Sequence, residues 1–139
     1  SGGEPTAQAA LPAAMRAVKD LGLKIGLHTA GIFPDRLAEV LPLVSWVGLD
    51  VKAPFDERYD RITQRSASFE APAETLRLVL ASGVNYELRT TVHPALVSAG
   101  DLADLSGTLE SLKSAPTKIQ EFRPAGCVDE ELIAGNALT

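Results

Sequence analysis

LKIGLHT (residues 23–29) and SWVGLDVK (residues 45–52) are two short, mostly apolar runs, and each follows a stretch in which apolar residues recur at helical spacing. Runs of this kind are typical of strands that are buried on both faces of a parallel sheet. The helices that precede them are predicted over residues 6–22 and 34–41. Pro12 marks either the first turn of the first helix or a kink in it. The two units predict a βα series.

The same alternation continues toward the carboxyl end of the chain. Helices and strands are predicted in turn at residues 72–82, 85–92, 101–114 and 118–123. Asp101 is well placed as the N-cap of the third of these elements. A charge-rich loop, residues 54–71, interrupts the series, and its length indicates a functional or partner-facing segment.

Strands that alternate with helices pair in parallel, which predicts either a doubly wound sheet or a (β/α) barrel. Each predicted strand ends in polar side chains, namely those of His28, Thr29, Asp50, Lys52, Arg89, Thr90, Thr91, Gln120, Glu121 and Arg123. Barrel enzymes assemble their active sites at that end of the strands. Because four strands cannot close a barrel, we predict an α/β fold in which residues 1–139 form one partial (β/α) barrel of about four parallel strands with flanking helices.

Composition excludes several classes of function. The chain has 13 Lys and Arg against 18 Asp and Glu, a net charge of −5, which argues against nucleic acid as a partner. It contains no apolar run long enough to span a membrane and no signal peptide, so a cytoplasmic location is expected. The one cysteine, Cys127, cannot form an internal disulfide or hold a metal cluster alone, and we interpret it as an ordinary thiol.

The chain opens on Ser-Gly-Gly-Glu-Pro (residues 1–5), a tight turn that leads into a helix. We expect this turn to follow a strand that the sequence lacks, so that the chain starts in mid-motif. Gly2 and Gly3 let a ligand approach the backbone closely, and Glu4 offers a carboxylate that could accept hydrogen bonds from an ammonium group. A Gly-Gly turn before a helix is, taken alone, most often only a turn.

Four segments in order along the chain carry a family resemblance. SGGEPT (residues 1–6) resembles the motif of radical S-adenosylmethionine (SAM) enzymes that binds the amino group of SAM. HTAG (28–31), LDVKAP (49–54) and YELRTTV (86–92) resemble the strand-end Thr-Asn-Gly, the Asp-x-Lys segment and the Arg-bearing strand of glycyl-radical activases. The chain is thus similar to the activating enzymes of anaerobic ribonucleoside-triphosphate reductase and pyruvate formate-lyase, as a truncated radical SAM core.

The resemblance implies cofactors and partners. Members of the family hold a 4Fe–4S cluster with a Cys-x3-Cys-x2-Cys loop, cleave SAM to a 5′-deoxyadenosyl radical and abstract a hydrogen atom from a glycine of a partner glycyl-radical enzyme. A flavodoxin- or ferredoxin-like protein is the implied reductant. Because the sequence lacks the cysteine triad, we expect no metal ligands in this chain and an inactive fragment of an active parent enzyme.

The resemblance also implies seven SAM-binding residues: Gly2, Gly3, Glu4, Thr29, Asp50, Lys52 and Arg89. The first three would hold the amino group, and Arg89 would contact the carboxylate or the ribose. Thr29 and Asp50 would line the site near the carboxylate, where some relatives place a monovalent cation. Lys52 could orient Asp50 or reach the ligand. Ala30 replaces the expected Asn, which predicts weaker contacts to adenosine.

Several of these residues have simpler interpretations. Asp50 and Lys52 share a strand face and suit a plain ion pair, and Arg89 suits pairing within the barrel. His28 fits a hydrogen-bonded pocket wall better than a ligand or base. Trp46 and Val47 fit the core better than a stacking platform.

The remaining polar candidates are less specific. His93 is expected to leave its strand for a loop, and its role stays open. Gln120, Glu121 and Arg123 are candidates for the adenosyl or substrate side of the site.

Two other functions stay open, a cluster-free (β/α) domain that binds a small ligand or a partner protein, and a radical SAM enzyme that acts on a small molecule or a peptide. A Cys-x3-Cys-x2-Cys spacing encoded before Ser1 would decide for an enzyme. For the chain itself we predict self-association, through the edge of the strand at residues 23–29 or through an apolar barrel-lining face.

Overall fold

The structure is a computed structural model that describes residues 3–123. Gly2 and Cys127, which the sequence analysis singled out, lie outside this part. The described residues form one sheet of four parallel strands in the order β1-β2-β3-β4. The strands are β1 (Gly26–Thr29), β2 (Trp46–Asp50), β3 (Asn85–Val92) and β4 (Thr117–Glu121). The predicted α/β fold with four parallel strands is confirmed.

Within the described residues, α1 (Leu11–Asp20) precedes β1 and the other α-helices connect the strands in turn: α2 (Pro34–Val40), α3 (Glu57–Thr63), α4 (Glu70–Ser82) and α5 (Ala99–Ser111). The helix predicted over residues 6–22 is shorter than expected, because Pro5–Ala7 form a separate 3-10 turn. Pro12 lies in the first turn of α1, where a missing N–H breaks no hydrogen bond. Pro12 therefore marks the first turn of the helix and not a kink.

The helices pack on one face of the sheet. Leu27 and Val47 point to that face and contact a cluster that includes Met15 of α1 and Leu37 of α2. Further along the sheet a second cluster continues the same layer with Leu49, Leu88, Leu76, Leu105 and Leu109. A doubly wound sheet carries helices on both faces, whereas consecutive strands with a single helix layer are typical of an arc of a (β/α) barrel.

The prediction that residues 23–29 are buried on both faces is wrong. The strand β1 spans only Gly26–Thr29, and its burial alternates, with Leu27 and Thr29 buried. Leu23 lies before the strand and keeps 57% of its surface exposed. The reason is the one-sided helix layer, which covers only every second side chain.

The uncovered face is polar, so the predicted apolar barrel-lining face is also wrong. The strand register places on it His28, Asp50, Glu87, Arg89, Thr91, Lys118 and Gln120. Most apolar strand residues lie on the helix-covered face, and Trp46 is an exception on the open face. Apolar inner faces therefore offer no surface for the predicted self-association.

The segment predicted as a charged loop, residues 54–71, contains α3 and the start of α4. Tyr59 of α3 is buried against Val51, and its hydroxyl oxygen accepts a hydrogen bond from the Lys52 N–H at 3.2 Å. Burial raises the pKa of the Tyr59 hydroxyl. The long connection is thus packed onto the end of β2 rather than open.

Asp101 is not the N-cap of α5. Ser98 is the N-cap, and Asp101 stands three residues later, where its carboxylate accepts a hydrogen bond from the Ser98 N–H in a capping box. Helix α5 therefore begins at Ala99, two residues before the predicted start. The strand predicted over residues 85–92 matches β3, and Gly83 ends α4 with φ +74°, as predicted.

Candidate functional site

A cavity of about 380 Å³ lies at the carboxyl ends of the strands, on the open face of the sheet. The register aligns His28 with Gly48, Asp50 with Arg89 and Thr91 with Gln120, which brings all four strands to this place. Its walls are formed by Gly3, Glu4, His28, Thr29, Ala30, Gly48, Leu49, Asp50, Arg89, Thr91 and Gln120. Five of the predicted SAM-binding residues therefore meet here: Gly3, Glu4, Thr29, Asp50 and Arg89.

Glu4 holds the opening turn against the end of β1. Its Oε2 accepts hydrogen bonds from the Thr6 N–H at 3.0 Å, from the Thr6 hydroxyl and from the Thr29 hydroxyl at 2.8 Å. Its Oε1 accepts from the Ala30 N–H at 2.7 Å. Four donors nearly fill the acceptor capacity of one carboxylate. The side chain thus fixes a cavity wall, and its direct contact with a ligand amino group stays a prediction.

The surroundings of Glu4 keep it ionised. Partial burial raises its pKa, but the hydrogen bonds from Thr6, Ala30 and Thr29 outweigh that effect and hold the pKa below the ordinary value of 4.5. Arg36 of α2 supports the same turn by donating to the carbonyl oxygens of Thr6 and Ala7, at 3.2 and 2.9 Å. The opening turn is thus held by hydrogen bonds between Glu4 and the end of β1 and by those from Arg36 of α2.

The segment after β1 is equally ordered. Thr29 is buried, and its hydroxyl oxygen accepts from the Gly31 N–H at 3.0 Å while the hydroxyl donates to Glu4. Gly31 has φ +74°, and a Cβ there would lie 2.9 Å from the Leu49 side chain. At Ala30 the backbone, rather than the missing Asn side chain, supplies the hydrogen bond to the site.

Asp50 and Lys52 form the ion pair that the simpler interpretation expected, with 3.3 Å between Nζ and Oδ2. Both side chains stay substantially exposed, so the pair contributes little to stability. Asp50 lines the cavity, but Lys52 lines an adjoining cavity of about 500 Å³ beside Tyr59 and Ile62. A ligand in the first cavity would meet Asp50 directly and Lys52 only through it.

Arg89 pairs with Glu87 through its Nε–H, which leaves its two terminal nitrogens to be accounted for. Its Nε–H donates to Glu87 Oε1 at 2.8 Å, and Lys118 donates to the other oxygen of Glu87 at 2.8 Å. The Lys118 ammonium and then the Arg89 guanidinium hold the pKa of Glu87 below its usual value. Two cations share one carboxylate, which leaves an excess of positive charge. The terminal guanidinium nitrogens of Arg89 donate to no acceptor within residues 3–123.

Gly48 also lines the cavity and was not among the residues predicted from the sequence. A Cβ at this position would lie 2.7 Å from both His28 Nδ1 and the Trp46 ring. Those two rings meet edge to face, with centroids 5.0 Å apart. Val47 is buried as predicted, but Trp46 is only partly buried and lies on the open face. A glycine inside a strand, two residues after a tryptophan, is the signal that could have indicated this close approach.

The other candidates fall around the cavity. His93 is buried just past β3, its Nδ1 accepts from the Ala95 N–H at 3.0 Å, and its ring packs edge to face on Phe122. Gln120 lines the first cavity, whereas Glu121 and Arg123 line a neighbouring one.

The described residues offer no metal centre. No group of three or more His, Cys, Asp or Glu side chains within residues 3–123 is arranged to hold a metal ion. A 4Fe–4S cluster needs thiolate ligands, which this part of the chain does not supply. Among the helices of residues 3–123, none is both long and apolar enough to cross a membrane.

The fold and the site together define an α/β domain, an arc of a (β/α) barrel, with a polar cavity at the carboxyl ends of its strands. The family model of the radical SAM superfamily matches residues 1–98, and the chain belongs to that superfamily. Membership implies SAM and a 4Fe–4S cluster as the cofactors of the superfamily.

Among solved structures, the crystal structure of a domain of pyruvate-formate lyase-activating enzyme from Bacteroides vulgatus ATCC 8482 is similar, with a TM-score of 0.73 and 16% identity. The match covers 99% of this chain and 88% of that one. At this identity the likeness concerns the fold. No curated protein matches the chain.

Proposed function

We propose that this chain is the SAM-binding part of a radical SAM enzyme that activates a glycyl-radical enzyme. The observation that carries the proposal is the convergence of the Gly3–Glu4 turn, Asp50 and Arg89 on one cavity at the strand ends. These residues come from three separate segments that resemble the activases. The similar fold of a pyruvate-formate lyase-activating enzyme domain supports the choice of subfamily.

The charges around the cavity suit the charged groups in the methionine part of SAM, which are a carboxylate, an ammonium group and a sulfonium centre. The excess positive charge around Arg89 and Lys118 attracts a carboxylate, and a guanidinium with free terminal nitrogens can bind it with two parallel hydrogen bonds. The carboxylate of Asp50 faces the same cavity and attracts an ammonium or sulfonium cation. The volume of about 380 Å³ lies within the range of about 300–1,000 Å³ of small-molecule sites.

In this function bound SAM supplies, after one-electron cleavage, the 5′-deoxyadenosyl group that takes a hydrogen atom from a glycine of the partner enzyme. A flavodoxin- or ferredoxin-like protein would supply the electron. The residues of this chain bind and orient the cofactor. Residues 3–123 contain no group of side chains arranged to hold a metal ion, so the ligands of the 4Fe–4S cluster would have to come from outside these residues.

Titration of the isotope-labelled 139-residue chain with SAM, followed by two-dimensional NMR, tests the binding step. We expect amide shifts at Ala30, Gly48 and Arg89, and at least about a tenfold loss of affinity in Arg89→Gln, the effect of losing a charged hydrogen bond. Arg77→Gln is the matched control, since Arg77 is an exposed residue of α4 away from the cavity. Binding that leaves these amides unchanged would refute the site.

The activation step requires the full-length product of the gene. It should be assembled with iron and sulfide without oxygen, then given SAM, a reductant and a candidate glycyl-radical enzyme. We expect 5′-deoxyadenosine and the electron paramagnetic resonance signal of a glycyl radical in the partner. If 5′-deoxyadenosine forms but no tested partner acquires the radical, a small-molecule or peptide substrate replaces the activase function.

A further inference from the structure

Two side chains that line the cavity, His28 and Arg89, both contact the ring of Trp46. The Trp46 ring leans along β2 over Gly48, which has no side chain to block it. The His28 ring meets Trp46 edge to face from the neighbouring strand, at an interplanar angle of 72°. On the other side the guanidinium carbon of Arg89 lies 5.9 Å from the centroid of the Trp46 ring, within the usual range of a cation–π contact.

Two different contacts restrain Arg89. Glu87 accepts the hydrogen bond of its Nε–H at 2.8 Å, and the guanidinium carbon lies over the Trp46 ring, 5.9 Å from its centroid. A hydrogen bond at Nε alone would let the terminal nitrogens swing about that bond. The ring restricts this motion without using any N–H group. The terminal N–H donors that a carboxylate would need are thus restrained, and they bond to no acceptor among residues 3–123.

We propose that Trp46 is a positioning residue, which orders the Arg89 guanidinium so that it can receive the carboxylate of a bound amino-acid-type ligand. The inference rests on the proposed function for the identity of that ligand, SAM. Gly48 is the position that permits the arrangement. An ordered guanidinium loses less rotamer freedom when a ligand binds, so Trp46 increases affinity without touching the ligand.

The test compares SAM with decarboxylated SAM, which lacks only the group that Arg89 would bind. In Trp46→Leu we expect the affinity for SAM to fall about threefold to tenfold, as for loss of a partly exposed cation–π contact, with little change for decarboxylated SAM. Trp46→Phe keeps an aromatic face and should restore most of the affinity. In an Arg89→Gln background, Trp46→Leu should cause no further loss.

A role in packing alone would give a different result. Trp46→Leu would then weaken both ligands equally, and its effect would add to that of Arg89→Gln. Either result overturns the proposal. Thermal unfolding of each variant shows whether the fold is retained, and Trp46→Phe keeps the test decisive if the leucine variant unfolds.

A second measurement separates this inference from the proposed function. Trp46 is the single tryptophan of the chain, so its fluorescence reports on the contact without any ligand. We expect Arg89→Gln to change the emission of the free protein, whereas Arg77→Gln should not. If SAM does not bind but the emission changes, the proposed function fails and the contact stands; an unchanged emission overturns the contact itself.

Discussion

The Thr29 hydroxyl donates a hydrogen bond of 2.8 Å to the carboxylate of Glu4, a residue 25 positions earlier in the chain. Together with the Ala30 N–H, it fastens the opening turn to the carboxyl end of β1. One wall of the cavity exists because of this contact. A short turn with two glycines would otherwise sample many conformations.

Replacing Glu4 by Gln tests this contact. The amide has one acceptor oxygen in place of two and brings two donors among groups that are already donors, so we expect a loss of about 1–2 kcal/mol in the free energy of unfolding. Urea unfolding followed by circular dichroism measures it. Glu39→Gln, at an exposed position of α2, is the control and should change stability by less than about 0.5 kcal/mol. Equal stability of the two variants would show that the turn is held by other contacts.

The same carboxylate predicts part of the pH dependence of stability. Because the pKa of Glu4 is lower in the folded state than its ordinary 4.5, the unfolded chain binds more protons near that pH. The contribution of Glu4 is therefore complete above about pH 5 and is lost as the pH falls below 4.5 through the folded pKa. Unfolding free energies measured from pH 6 to pH 3 should fall less steeply in Glu4→Gln than in the wild type. Parallel curves would contradict this assignment.

Gly48→Ala tests the close approach of the His28 and Trp46 rings over Gly48, which lines the cavity. The new methyl group would lie 2.7 Å from both His28 and Trp46, so the rings must move. We expect a loss of about 1–3 kcal/mol in stability, together with a shift in tryptophan emission. Gly107→Ala is a matched control, since it lies in α5 with nothing within 4 Å of the added carbon, and it should be neutral or stabilising by up to about 1 kcal/mol. Unchanged emission in Gly48→Ala would mean that the rings do not lie over this glycine.

Arg58 joins α3 to α5, and its removal should lower the melting temperature. Its guanidinium donates to Asp56, Asp101 and Asp104, at 2.7–3.1 Å. In Arg58→Gln three carboxylates are left close together, and their repulsion is screened by salt. The difference in melting temperature from the wild type should therefore shrink between about 0.1 and 1 M NaCl, a range over which the Debye length falls from roughly 10 Å to roughly 3 Å. A difference independent of salt would indicate lost packing instead.

Self-association of the chain remains a prediction, now confined to the sheet edge. Within the described residues β1 is an end strand of the sheet, and Leu21 and Leu23 beside it are 76% and 57% exposed. Exposed edges with neighbouring apolar side chains tend to pair with other chains. Light scattering should show dimers or larger species, and Leu23→Lys should shift the distribution toward monomer. A monodisperse monomer of the unaltered chain at high concentration would rule this out.

Much of the fold follows from local sequence. The strand at residues 85–92 and the end of α4 at Gly83 were predicted correctly, because strand propensity and a left-handed glycine are properties of a few adjacent residues. The bounds of β1 and the start of α1 were not. Leu23 satisfies the strand pattern, but it keeps 57% of its surface exposed and the helix layer does not cover it.

The sequence by itself determined the βα alternation and the placement of Asp50 on β2 and of Arg89 on β3, since each depends on residues adjacent in the chain. Only the tertiary structure decided that the open face is polar, that Glu4 is engaged by Thr29 and Ala30, and that Arg89 lies over Trp46. These outcomes depend on which face the helices cover and on rotamers of side chains that meet across strands. No local pattern specifies those contacts, because packing sets them after the strands have paired.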